Sequence, residues 1–331
     1  MRKTLLLAAV CMLAATASFA AEYVFQFGFE TPRTDSQYIG AEHFAKVAAE
    51  KSGGRIEIQL YPDGVLGNGP TMLADMQGGD LDMYMGGSGF FANMAQKLNI
   101  LDIPFLFRGT KHVDTLLEGD FGRLMLDELD SHDIKGLAFW ENGFRCLTNL
   151  RNPVSKAEDV KGLKLRTLAN PMHIEAWTLL GTNPVPMPLS ELYTALETKT
   201  VEGQEHPLNV TYSAKLYEVQ KYISVSNHAY SPLIVGMNLE KFESLPEDIQ
   251  NILIESCIEG ARHQKKYIRD NIAKMVEEMK EFGCEVVPAD QVDMPSFQNV
   301  VGEKTRDMYL KQYGGDTGEK WLKIIDDGAV D

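Results

Sequence analysis

Beyond its first twenty residues the chain has no apolar run approaching the ~18 residues that a membrane-spanning helix needs. Cysteine is scarce. Four occur in 331 residues, at positions 11, 146, 257 and 284, and none stands in a C-x-x-C pair or at zinc-ligand spacing from a histidine. A disulfide scaffold and a zinc module are therefore excluded. Cys257 and Cys284 could pair in an oxidising compartment, but the expectation is buried free thiols. Basic residues are also short, 32 Lys and Arg against 47 Asp and Glu, for a formal net charge of −15. That balance argues against nucleic acid, which needs a basic surface. It leaves an anionic small ligand open, because two or three arginines can dominate a pocket. H-E-x-x-H, P-loop and G-x-S-x-G patterns are all missing, so no common hydrolase signature is present. The seven histidines show no metal spacing, and no metal or cofactor is expected. Nor is there an internal repeat, a low-complexity tract or a Pro/Ser tether.

What is present begins with a leader. "MRK" is a basic head, "TLLLAAVCMLAA" an apolar stretch, and "ATASFA" a small-residue approach to Ala21. This reads as a secretory signal peptide cleaved near Ala20, with Ala17 as an alternative. Cys11 lacks the context of a lipoprotein site. The expected mature protein is exported and periplasmic, with 30 basic residues against 47 acidic once Arg2 and Lys3 are lost.

The rest alternates strand and helix in units of roughly thirty residues, the pattern of a mostly parallel α/β sheet. "EYVFQFGFE", "RIEIQLYP" and "DLDMYMGG" read as strands, and "SQYIGAEHFAKVAAEKSGG" and "PTMLADMQGG" as helices stopped by glycine. "IKGLAFWENGFRCLTN" leads into a second α/β block, and "LIVGMN" reads as a later buried strand. From Ser244 to Gly283 runs one long helical pattern. Ser244 and Glu247 suggest a capping box there, and Gly260 a point where the helix bends or splits. The expectation is a two-lobed α/β cleft protein. Lobe I takes residues 21–143 and about 232–243, and lobe II takes 144–231 and about 284–331. The helix at about 244–283 braces both across a hinge.

Arg166 ends the predicted strand "GLKLRTL" just before the helix "PMHIEAWTLLG". Ligands of open α/β sheets bind at such strand ends, and a guanidinium there can grip a carboxylate through two parallel hydrogen bonds. Arg145, in "NGFRCLTN", could add a second cation. The alternative is that both arginines pair with carboxylates of the protein itself. "GSGFFA" at residues 87–92 fits a loose dinucleotide loop but is explained by a tight strand–helix turn. Glu202 and Glu205 read as solvated carboxylates in so acidic a chain. His206 and His228 are expected in loops, and His173 on a helix.

At this point a family resemblance emerges. "GLKLRTLANPM", "GTNPVPMPLSELYTALETKTVEGQEHPLNV" and "KLYEVQKYISVSNHAYSP" resemble the extracytoplasmic solute-binding subunits of TRAP transporters. The likeness extends to "LYPDGVLGN", "GDLDMYMGGS" and "LDIPFLFR". "FGFETPRTDSQ", "FWENGFRCLTN" and "VEGQEHPLNV" are most similar to members that bind 2,3-diketo-L-gulonate. The resemblance implies the two-lobed periplasmic-binding-protein fold, with an organic acid closed between the lobes. The implied partners are a small and a large integral-membrane permease subunit driven by sodium. It also implies a monomer without catalytic activity. By the same resemblance Arg166 clamps the ligand carboxylate and Arg145 is a second ligand-facing arginine. His206 replaces the usual asparagine of "GQENP". Glu30 stands where sialate-binding relatives have asparagine, and Gly87 where they have an acidic residue, which makes sialate a poor fit. His206 and Glu30 are then expected on the hydroxyls or hydrated ketones of a sugar acid. Asn170, Gln204, Asn209, Tyr230 and Ser88 are further candidate contacts. A simpler ligand (a C4-dicarboxylate, keto or aromatic acid) or a ligand-presenting sensor role are the alternatives.

Overall fold

Alternating residues of "YVFQFG" bury Phe25 and Phe27 and leave Val24 and Gln26 outward, so the first described segment is a strand, β1 (Tyr23–Gly28). The computed structural model describes residues 21–328; the leader read in residues 1–20 lies outside the described residues. The first block continues α1 (Ser36–Lys51), β2 (Ile56–Tyr61), α2 (Gly69–Gly78), β3 (Met83–Gly87), α3 (Ser88–Phe91), a 3₁₀ segment (Gln96–Asp102), α4 (Thr110–Leu117) and α5 (Asp120–Asp127). Strand β4 (Ile134–Asn149) leads to β5 (Lys164–Thr167), α6 (Pro171–Leu179), β6 (Asn183–Pro186), α7 (Leu189–Glu197), β7 (Gly203–Pro207) and α8 (Leu208–Ser213). Strand β8 (Tyr222–Asn238) returns, and α9 (Leu239–Glu243), α10 (Glu247–Phe282), β9 (Glu285–Val287), α11 (Met294–Tyr309) and α12 (Gly315–Asp327) complete the described chain.

The described strands form one nine-stranded sheet in the order β2-β1-β3-β8-β4-β7-β5-β6, with β9 on the far end of β8. Both flanks are parallel, as the strand–helix alternation predicts, but the centre is not: β3/β8, β8/β4 and β4/β7 are antiparallel. The reason is that β4 and β8 each run the length of two ordinary strands and carry the chain across and back. "LIVGMN" is accordingly the second half of β8, not a strand of its own. Register shifts interrupt the β4/β8 ladder between Glu141 and Gly143 and between Arg145 and Leu147. Gly143 (φ 121) and Asn227 (φ 41) take up the left-handed backbone there. Bulges of this kind re-aim side chains beside sites, and these lie at the middle of the molecule.

Helix α10 spans 36 residues without a break, about 54 Å of rise. Gly260 does not split it. A Cβ there would lie 2.8 Å from both Phe44 Cβ and Trp140 Cζ2, so the glycine lets α10 cross α1 at close range. The expected capping box does not form: Ser244 ends α9, its hydroxyl donates to the Lys241 carbonyl at 2.7 Å, and Pro246 is the N-cap of α10. Proline disfavours helical backbone at the preceding residue, which cuts the pattern between Ser244 and Glu247. Gly283 (φ 118) closes the helix as predicted. Gln264 stitches α10 to the bulge, accepting from the Glu141 N–H at 3.1 Å, and Arg269 pairs with Asp114 and Glu141 at 2.7 and 2.6 Å. The C-terminal helices divide between two cores. Phe297 and Val301 join Leu163, Leu165 and Trp177, whereas Tyr309, Trp321 and Ile325 join the core under β3 and α5. Cys146, Cys257 and Cys284 are buried free thiols, and no described helix is long and apolar enough to cross a membrane.

Candidate ligand-binding cleft

Strand β5 places Leu165 and Arg166 in the interior, pairs in parallel with β7 and β6, and ends where Asn170 caps α6 by accepting the Met172 N–H at 2.8 Å. Arg166 is 1% exposed. Its Nε and Nη2 donate to the Met187 carbonyl at 3.0 and 2.6 Å, and its Nη1 lies 3.2 Å from His206 Nε2. That engages three of the five guanidinium N–H groups. No ion pair to Arg166 forms within 4.0 Å among the described residues. Burial pulls its pKa down to about 10, which leaves it cationic at neutral pH.

The tautomer of His206 follows from its neighbours. Gln204 uses its amide nitrogen on Thr148 Oγ1 at 2.9 Å, so its carbonyl oxygen faces His206 Nδ1 at 2.6 Å and must accept. Nδ1 therefore carries the proton and Nε2 accepts from Arg166. Burial first, then the charges of Arg166 and Arg145, hold the imidazole well below its ordinary pKa, so it is neutral.

Arg145 sits in the bulged part of β4, and its situation is opposite. Its Nε and Nη2 grip both carboxylate oxygens of Glu205, and Nη2 also donates to the Glu205 carbonyl at 2.6 Å. Nη1 reaches Ser231 Oγ at 3.3 Å. Glu205 is fully buried. It accepts from Thr167 Oγ1 at 2.9 Å and from His228 Nε2 at 3.3 Å. Burial would raise its pKa, but Arg145, His228 and His173 outweigh burial and hold it well below the carboxylate range. The reading of Glu205 as a solvated carboxylate is thus corrected: β7 is buried along its whole length and pairs with β4, which brings Glu205 onto Arg145. His206 and His228 are likewise in strands β7 and β8 and not in loops, while His173 is on α6.

Arg166, Arg145, His206 and Glu30 meet in one cavity between the two halves of the sheet, together with Thr31, Asn142, Gly86 and Gly87. Its volume is about 50 Å³, room for one or two waters. Three polar atoms of its wall are buried with no hydrogen-bond partner: Glu30 Oε1, Thr31 Oγ1 and Asn142 Oδ1. Burial raises the Glu30 pKa against the opposing pull of the Gly69 N–H and the Arg166 charge. One wall therefore offers N–H donors and positive charge, and the other offers acceptors.

The remaining candidates lie behind this wall. Asn170 donates to Asn99 Oδ1 at 2.8 Å while capping α6, and Gln204 orients His206. Ser88 donates to Asp102 at 3.3 Å. The Tyr230 ring packs between Phe107 and Phe144, and Asn209, on α8, has its amide nitrogen buried without a partner. None of the five lines the cavity. Sequence reasoning passed over Thr31, Asn142 and Ser231. Asn142 adjoins Gly143 in "WENGF", and that N-G pair in mid-strand was the available signal of a bulge.

Comparison with known proteins places this geometry in context. Residues 27–312 match the family model DctP, bacterial extracellular solute-binding protein, family 7. The chain is 43% identical over 312 residues to the 2,3-diketo-L-gulonate-binding periplasmic protein YiaO of Escherichia coli, covering 94% of each chain. The sugar acid binding protein DctPAm of Advenella mimigardefordensis, solved in complex with galactonate, superposes with a TM-score of 0.87 at 30% identity, over 92% of this chain and 98% of that one. A TRAP periplasmic solute-binding protein of a Polaromonas species, bound to D-erythronate, gives a TM-score of 0.87 at 30% identity over 93% and 99%.

Proposed function

Since the chain belongs to the bacterial extracellular solute-binding proteins of family 7, the DctP family of TRAP transport, we propose that it captures a sugar acid of the 2,3-diketo-L-gulonate type in the periplasm. It then delivers that acid to the small and large membrane subunits of a sodium-driven permease. Residues 1–20 serve as its export signal in this reading. The observation that carries the proposal is the inequality of the two arginines. Arg145 is neutralised by Glu205, while Arg166 keeps two N–H groups and a full charge without a protein carboxylate. A ligand carboxylate completes Arg166 in the fork geometry that guanidinium favours, and the Nη1 side of Arg145 faces the same space.

The opposite wall selects what the carboxylate is attached to. Glu30 Oε1 and Asn142 Oδ1 need donors, and Thr31 can give or take one. Hydroxyls or hydrated ketones supply them. The second carboxylate of a C4-dicarboxylate would bring a negative charge towards Glu30, so a hydroxylated monocarboxylate is favoured. The E. coli relative named for 2,3-diketo-L-gulonate and the galactonate complex fall in that chemical class.

Thermal shift against diketogulonate, uronates, aldonates, C4-dicarboxylates, keto acids and aromatic acids tests the reading. A ligand at ~1,000 times its dissociation constant stabilises the fold by about 4 kcal/mol, a rise of several degrees for a chain of this size. The expected result is a shift confined to sugar acids. A shift with dicarboxylates or aromatic acids instead would overturn that class. Arg166→Ala should weaken binding by about 2–5 kcal/mol, roughly 30- to several-thousand-fold. Arg166→Lys should also bind poorly, because a point charge cannot replace the fork. Unchanged affinity in either variant would remove the clamp.

A further inference from the structure

The 3₁₀ segment Gln96–Asp102 and the loop behind it reach from the first block into the second at points that the ligand site does not use. Asp102 Oδ1 lies 3.0 Å from His173 Nε2 of α6. Asp102 is fully buried and His173 is 2% exposed. Asn99 Oδ1 accepts from Asn170 at 2.8 Å, and the Phe105 N–H donates to the His228 carbonyl at 2.8 Å. Phe105 holds a left-handed backbone (φ 59), and its ring packs against the core of the second block around Trp177 and Phe297. A bulky residue with positive φ is strained and is kept only where surrounding contacts over-determine it. The other ring nitrogen of His173 points to Glu205 Oε1 at 3.9 Å, the carboxylate that holds Arg145. These contacts occur in a molecule whose cavity, at about 50 Å³, is too small to admit a sugar acid unless its walls part.

We propose that residues 99–105 form an interlobe clasp, engaged in the closed molecule and released on opening, in which Asp102 and His173 are positioning residues that set ligand affinity without touching the ligand. The clasp rests on the solute-binding reading, since it matters for affinity only if the lobes separate to take up a ligand. When the competent state is one of two, the apparent dissociation constant scales with the population of that state. A contact made only on closure therefore strengthens binding of every ligand by one common factor. Arg166, by contrast, acts on the ligand's own carboxylate.

The experiment compares wild type, Asp102→Ala and His173→Ala as mature full-length proteins. Calorimetric titration uses galactonate and 2,3-diketo-L-gulonate, and melting is followed without ligand. The expected result is an affinity loss of about tenfold to a hundredfold, the scale of one charged buried hydrogen bond. The loss should be the same for both acids, with the ligand-free melting midpoint unchanged. Intact affinity with a midpoint lowered by several degrees would overturn the clasp, because the contact would then be permanent packing. Were wild type to bind neither acid, the failure would fall on the solute-binding reading. The ligand-free midpoint would still judge the clasp: unchanged for a contact absent from the open molecule, lowered for permanent packing. If Asp102→Ala does not fold, Asn99→Ala removes a neutral member of the same set and is read in the same way.

Discussion

Arg145 and Arg166 carry the same side chain, and their surroundings give them different tasks. The strand-end position of Arg166 was legible in "GLKLRTLANPM", but that it makes no ion pair among the described residues, and that Glu205 pairs with Arg145, depend on which strands pair across the sheet. His206 gives a pH prediction at this scale. Its imidazole is held well below the ordinary value of 6.5 by burial and by Arg166 and Arg145, and His228 is lowered by burial in the same sense. As pH falls through about 6.5 the unfolded chain takes up protons that the folded chain refuses, so stability falls from pH 7 towards pH 5. The depressed Glu205 acts later, its contribution being full above about 4.5 and lost below. His206→Gln should make the decline in urea midpoint between pH 7 and 5 shallower; an unchanged slope would count against a neutral buried His206. Glu30→Gln should weaken hydroxylated acids about tenfold, the scale of a hydrogen bond to a charged group. It should also narrow the gap to succinate, and titration of both acids reads the two effects.

Among the elements, α10 shows how a pattern can be right and its punctuation wrong. The apolar spacing and Gly283 mark the helix, yet Ser244 is not its cap, because Pro246 takes that place, and Gly260 does not split it but serves the crossing with α1. Gly260→Ala should therefore destabilise by about 1–3 kcal/mol through overpacking against Phe44 and Trp140. Thermal melting checks this, and a midpoint equal to wild type would mean the helices separate freely. Strands β4 and β8 carry the same lesson. Their alternation reads as strand, but of the bulges beside Arg145, Asn142 and His228 only the one at Gly143 has a local signal, the N-G pair, and the one at Asn227 has none.

For the whole molecule, two sheet halves are joined through β4 and β8 and braced by a helix bonded to both the bulge and α1, and the proposed capture of a ligand calls for a hinge about that middle. In that proposal the cavity of about 50 Å³ belongs to the closed form. Small-angle scattering should then show the ligand-free protein more extended than the closed structure, and contraction on adding a sugar acid that gives a thermal shift. A ligand-free radius of gyration already equal to that of the closed form, with no change on binding, would contradict the hinge.

The sequence by itself determined the α/β class, the strand–helix alternation of the first block, the long helix and the family, because periodicity and extended motifs are local properties of the chain. It also pointed to Arg166, since strand ends followed by capped helices are visible in one dimension. Only the tertiary structure decided which arginine lacks an ion pair among the described residues, that Glu205 is a buried counter-ion, and that Thr31 and Asn142 line the cavity beside Arg166. It also decided that Asp102 meets His173. Each of those depends on a pairing between residues tens of positions apart, which is set by strand order and bulge geometry and has no periodic signature along the chain.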